Sequence, residues 1–115
     1  WTDWNILLNE NGGPNHVQNF CFAPIHADTQ NNELIYTPTY YYIGHFSKFI
    51  EPGAKRMSTT VSRSTLESTS FQNPSGEIVT VVMNRTDEAI PFKLIVDDVE
   101  IALEIVPHAM HTLVY

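Results

Sequence analysis

The chain has 115 residues, of which 43% are hydrophobic and 17% charged, enough for one ordinary core, too short for two full domains and too apolar for a disordered segment. Six Lys+Arg against thirteen Asp+Glu leave a formal charge of -7, which argues against nonspecific nucleic-acid binding and against attraction to anionic lipid, since both need clustered positive charge. The single cysteine, Cys21, excludes an internal disulfide and a cysteine-rich zinc site.

Trp4-Asn5-Ile6-Leu7-Leu8 is a short apolar run closed by Asn9-Glu10-Asn11-Gly12-Gly13-Pro14-Asn15, which predicts a buried strand followed by a loop. The loop runs to about Asn32, with a short strand at 24–28, and Leu34-Ile35-Tyr36 is extended. Thr37-Pro38 predicts a helix start, with Thr capping free amides and Pro at the first helical position. Tyr41, Tyr42, Phe46, Phe49 and Ile50 form an apolar stripe, and Pro52-Gly53 stops the helix, predicted over 38–51. Gly44 inside that helix predicts close packing against a neighbour.

The remainder reads as strands. Met57, Thr59 and Val61 alternate with serines and threonine. Segments 66–72 and 77–84 flank Asn73-Pro74-Ser75-Gly76 and predict a hairpin, the second strand apolar on both faces and therefore central. Ile90, Phe92, Leu94 and Val96 alternate, with Pro91 marking an edge or strand end. Asp97-Asp98 turns the chain into Val99, Ile101, Leu103 and Ile105, a half-exposed alternation that Pro107-His108 breaks before a last strand from Met110 to Tyr115. About six short strands in 55–115 predict an antiparallel β-sandwich.

Few residues offer chemistry of their own. His108 and His111 are three apart across a strand entry, where alternation sends them to opposite faces, so no metal site is expected. His16, His26 and His45 lack ligand spacing and read as hydrogen-bonded packing residues. Cys21, between Phe20 and Phe22, reads as a small buried hydrophobe. Asn84-Arg85-Thr86 matches a glycosylation acceptor and reads as a turn ending its strand; Asp97-Asp98 reads as a solvated turn, and Gly12-Gly13 as a tight turn. Trp4, beside a strand that ends in a Gly-rich loop, is either a core residue or a ring that stacks on a sugar face. The chain opens inside an apolar segment with no initiator Met, and the expectation is a piece of a longer protein.

Trp1-Thr2-Asp3-Trp4-Asn5, Gly12-Gly13-Pro14-Asn15, Tyr42-Ile43-Gly44-His45-Phe46-Ser47-Lys48-Phe49-Ile50 with Pro52-Gly53, and Val81-Val82-Met83-Asn84-Arg85-Thr86, in that order, resemble the C-terminal portion of glycoside hydrolase family 30, the glucosylceramidase-like group. The resemblance covers essentially the whole chain and is strongest over 1–56. It implies a mainly β fold: an antiparallel β-sandwich of about six strands, preceded by the last strand, loop and helix of a (β/α)8 barrel. Residues 1–54 would be the barrel remnant and 55–115 the sandwich domain.

The resemblance further implies a retaining β-glycosidase, acting on glucosylceramide or a related β-glucoside through two Glu roughly 5 Å apart. Both Glu lie on barrel strands upstream of Trp1, so no catalytic residue is expected in this chain, and Glu10, Glu33 and Glu51 do not replace them. Trp4 and Asn19 match substrate-binding positions at the pocket wall and rim, and Asp3 would orient pocket partners. No cofactor or metal is implied. The implied partners are the rest of the parent barrel and a β-glucoside or glycolipid substrate; without that barrel, the apolar barrel-facing surface predicts an oligomer or a swapped arrangement. Family members are often secreted, periplasmic or lysosomal. The rival reading is a free-standing carbohydrate-binding or protein-interaction sandwich, which would need an aromatic platform on a sheet face.

Overall fold

The fold is that of a computed structural model, which describes residues 4–115. It contains two compact units, residues 1–44 and 45–115. The expectation for Asp3 lies outside the described residues.

In the first unit, Leu7–Asn9 (β1), Ile25–Asp28 (β2) and Glu33–Tyr36 (β3) form a sheet in that order. β1 runs parallel to β2, Leu7 opposite Ile25, and β2 antiparallel to β3. A parallel pair needs a long crossover, and the loop with its 3-10 turn at Asn15–Val17 provides it. The β2–β3 turn is held by Asp28: its Oδ1 accepts from the backbone N–H of Gln30 at 2.9 Å and of Asn31 at 3.0 Å, and its Oδ2 from Asn31 Nδ2 at 2.8 Å. These donors, the Asn31 side chain first, hold the Asp28 carboxyl below its ordinary pKa. The helix Pro38–Ser47 (α1) follows directly.

In the second unit, Lys55–Met57 (β4), Leu66–Gln72 (β5), Ile78–Asn84 (β6) and Met110–Val114 (β9) form one sheet in the order β4-β5-β6-β9, antiparallel throughout. Ile90–Val96 (β7) and Val99–Ile105 (β8) form a second, two-stranded sheet. Leu66, Val82, Ile90 and Ile105 from the two sheets make the buried core, with Phe92, Ala109 and Leu113 packed against it. This is the expected sandwich. β6 is central, the 66–84 hairpin is present, and Pro91 sits in a two-stranded sheet, opposite Glu104, where each strand is an edge among the described residues.

Buried polar side chains tie the ends of this unit together. Asn73, 3% exposed, accepts from Glu51 N at 3.0 Å and donates to Phe49 O at 2.9 Å, so the hairpin turn holds the chain that leaves α1. Asn84, 1% exposed, donates to the carbonyls of Glu88, Ile105 and Val106 at 2.7, 3.3 and 3.0 Å, while its Oδ1 accepts from Thr86 N and Oγ1. Its segment is the turn expected at the end of β6.

Several local expectations are corrected. The run 4–8 is neither a continuous strand nor buried: β1 starts at Leu7, and Trp4, Ile6 and Leu7 are exposed, because the described residues pair one edge of β1 and leave its side chains uncovered. The helix ends at Ser47 and buries none of its residues, so the Tyr41–Tyr42 part of the stripe faces outward. Beyond its chain neighbours and the backbone of its own helix, no described atom lies within 4 Å of where a Cβ on Gly44 would sit, so the expected close neighbour is missing among the described residues. The Thr37 hydroxyl donates back to Pro24 O at 3.0 Å, anchoring the helix start to the segment before β2 in place of the expected cap. The alternating stretch after Met57 leaves the sheet at once, since β4 has only three residues. Val99 and Ile101 alternate as expected but stay exposed, because the core reaches only the Ile105 end of β8.

Candidate functional site

The candidate site is built from the first unit alone. Gly12 closes the turn after β1 with φ +63. A Cβ there would stand 2.6 Å from Cys21 O, so only glycine lets the returning chain approach. Gly13 pairs with Cys21 in a single antiparallel bridge. The tight-turn reading of Gly12-Gly13 therefore holds, and its cause is a backbone crossing. An open recess of about 500 Å³ lies beside this turn, with Leu7, Leu8, Gly12, Asn15 and Ala27 on its walls.

Residues 19–23 form the rim of this turn. Asn19 N donates to Pro14 O at 3.3 Å, and the Cys21 thiol donates to Asn19 Oδ1 at 3.1 Å. Asn19 is exposed. Cys21 is exposed too, which corrects the buried reading: Phe20 and Phe22 flank it but are 69% and 84% exposed and do not cover the thiol. Trp4 is 78% exposed, three residues ahead of β1. Trp4 and Asn19 thus come from different segments, and Asn19 makes its bonds to the rim and to Pro14.

His26 on β2 is 8% exposed and takes both of its ring nitrogens to backbone. Its Nε2 accepts from Ala23 N at 3.0 Å and its Nδ1 donates to Asn9 O at 3.1 Å. Glu10 closes the same end of the sheet: its carboxylate accepts from Thr29 N at 3.1 Å and from Thr29 Oγ1 at 2.9 Å. Those donors, the Thr29 backbone N–H first, lower the Glu10 pKa from its ordinary value. Glu10 is thus a structural acceptor. Sequence reading missed this because its partner is nineteen residues away.

The other histidines differ. His16 is exposed on its 3-10 turn, which corrects the packing reading, while His45 is bonded and half-buried. His108 pairs with Asp87 at 2.8 Å, on the surface. Among the described residues no three His, Cys, Asp or Glu gather as metal ligands. The exposed large aromatics lie mostly in residues 4–42; in the sandwich only Tyr115, at 39%, joins them among the described residues. That distribution gives a sheet-face binding platform no support.

The chain matches two domain models in tandem, the TIM-barrel domain of glycosyl hydrolase family 30 over residues 1–50 and the β-sandwich domain of the same family over residues 53–113. It is 40% identical over 114 residues to lysosomal acid glucosylceramidase of Mus musculus, covering 97% of this chain and 22% of that protein. It is 30% identical over 118 residues to putative glucosylceramidase 3 of Caenorhabditis elegans, covering 100% of this chain and 23% of that protein. The crystal structure of SrfJ from Salmonella typhimurium superposes with a TM-score of 0.94 at 43% identity, covering 98% of this chain and 25% of that one. The chain therefore spans less than a quarter of the length of these curated relatives.

Proposed function

The chain belongs to glycoside hydrolase family 30, and from that premise we propose that it is the C-terminal part of a retaining β-glycosidase of the glucosylceramidase type. The observation that carries this is the 40% identity to lysosomal acid glucosylceramidase over 97% of the chain, spanning both domain types in order. The parent would cleave the β-linked glucose of glucosylceramide or a related β-glucoside through a glycosyl-enzyme intermediate. Its two catalytic Glu would lie on barrel strands upstream.

In this reading residues 1–54 are the end of the barrel and 55–115 the sandwich domain. Trp4 supplies an aromatic face for the glucose ring, and Asn19 supplies amide N–H groups to its hydroxyls at the rim. These roles rest on the positions that Trp4 and Asn19 match at the pocket wall and rim, and both residues are exposed in this chain. Exposed Ile6, Leu7, Leu34, Ile35, Tyr41 and Tyr42 are surface for the remaining barrel to cover. Detached from it, the chain is expected to associate with a second copy through that surface.

The test is a β-glucosidase assay on the intact parent and on the isolated chain, with the anomeric product followed by NMR. The intact parent is expected to release β-glucose first, and the isolated chain to show background turnover only. Inversion by the parent, or turnover by the isolated chain well above background, would reject the reading. Sedimentation of the isolated chain as a clean monomer would reject the association.

A further inference from the structure

We propose that His26 is a positioning residue for substrate binding: it clamps the rim segment 19–23 to the end of β1 and so fixes how Asn19 presents its amide. The proposal rests on the reading of Asn19 as a substrate contact.

One neutral tautomer of His26 satisfies both of its neighbours. Nε2 faces a donor, the Ala23 N–H at 3.0 Å, and must therefore be the unprotonated nitrogen. Nδ1 then carries the proton and faces an acceptor, Asn9 O at 3.1 Å. The ring is 8% exposed, so water does not compete freely for either bond. The edge-to-face contact with Phe22, with ring centroids 5.4 Å apart, adds a third hold on the same segment.

The rim segment has one anchor at each end. At its start, Asn19 N donates to Pro14 O, and at its finish Ala23 N donates to His26. Between them Cys21 lies against the Gly12-Gly13 turn, where the missing Cβ permits the approach. The Cys21 thiol then occupies Asn19 Oδ1 at 3.1 Å, so it is the NH2 group of this exposed side chain that remains to donate. A thiol is a weak donor, so this arrangement depends on the backbone being held still. Among these holds His26 is the buried side chain, and it reaches from the strand to the rim. Its placement on β2, rather than on a loop, is what makes the hold rigid.

The test is a double-mutant cycle in the intact parent enzyme, reading KM and kcat for a β-glucoside. Asn19→Ala is expected to raise KM about tenfold, and His26→Phe, which keeps a ring beside Phe22 but carries neither nitrogen, about three- to fivefold with kcat within about twofold. The double variant is expected to match Asn19→Ala alone, and His26→Gln, which has both a donor and an acceptor, to restore KM. If His26→Phe does not fold, His26→Asn enters the cycle in its place. Full additivity with Asn19→Ala, or an unchanged KM on replacing His26, overturns the positioning role and leaves the Asn19 reading standing. A wild-type KM in Asn19→Ala overturns both.

Discussion

The side-chain amide of Asn84, at the end of β6, donates to the carbonyl of Ile105, at the end of β8, and so joins the two sheets of the sandwich at 3.3 Å. The same nitrogen serves Glu88 and Val106 carbonyls, and the residue is 1% exposed. Asn84→Ala removes one donor to three carbonyls and the acceptor for Thr86, and is expected to cost about 2–4 kcal/mol. Asn84→Asp, which turns the donor into an anion facing carbonyls, is expected to cost more. Urea unfolding of the intact protein measures both. The same nitrogen is where a glycan would attach, so peptide mass mapping of folded protein from a secretory host is expected to find Asn84 unmodified.

Asn73 holds a different junction, between the hairpin turn and the chain leaving α1. Asn73→Ala removes an acceptor for Glu51 N and a donor for Phe49 O, and is expected to cost about 2–3 kcal/mol. Asn73→Asp keeps the acceptor but sets a buried anionic oxygen against Phe49 O, so its thermal midpoint is expected at or below that of Asn73→Ala, and a midpoint between those of Asn73→Ala and wild type would show that the bond from Glu51 N carries the junction.

Gly12 is the glycine whose replacement meets backbone. At φ +63 a side chain is strained by about 1 kcal/mol, and the 2.6 Å approach to Cys21 O forces the rim to move. Gly12→Ala is expected to lower the melting temperature and to expose the rim to limited proteolysis between residues 19 and 23. Gly44→Ala is the contrast: beyond the backbone of its own helix and its chain neighbours no described atom lies within 4 Å of the added methyl, and helix propensity favours the change by about 1 kcal/mol where the chain is isolated.

His45 makes stability depend on pH. Its Nδ1 lies 2.8 Å from Thr112 Oγ1, and Thr112 Oγ1 donates to His45 O at 3.2 Å, so the ring donates from Nδ1. Burial first, then the neighbouring His111, lower its pKa from the ordinary 6.5. The unfolded chain therefore holds a proton that the folded chain does not, and stability falls as pH drops below 6.5, levelling once the folded pKa is passed. Glu10 and Asp28, also lowered, add loss of the same sign at lower pH, below their ordinary values of 4.5 and 3.8. His45→Gln is expected to flatten the melting temperature below pH 6.5 and leave the more acidic decline in place; an unchanged profile would remove His45 as its source.

Much of the sandwich was legible because its signals are local. Asn73-Pro74-Ser75-Gly76 is a strong turn signal, and a strand apolar on both faces, as 78–84 is, is usually central, as β6 is between β5 and β9. The inward setting of Phe92 followed from alternation alone. The candidate site was less legible. Cys21 between two phenylalanines looked buried, but apolar neighbours in sequence shield a side chain only if the chain folds them over it, and here both rings point out. Glu10 read as one residue of the loop-forming run after β1, because Thr29, its partner, is remote in sequence.

The amino-acid order by itself determined most element types and the sandwich, since turns and alternation act between residues a few positions apart, and its linked motifs carried the resemblance to the family. Only the tertiary structure decided which polar groups are buried and what they hold: Asn84 across the sheets, Asn73 under the helix exit, His26 between strand and rim. Those roles arise where segments distant along the chain bring unpaired backbone groups together, and a buried amide or carbonyl must find a partner wherever the fold supplies one.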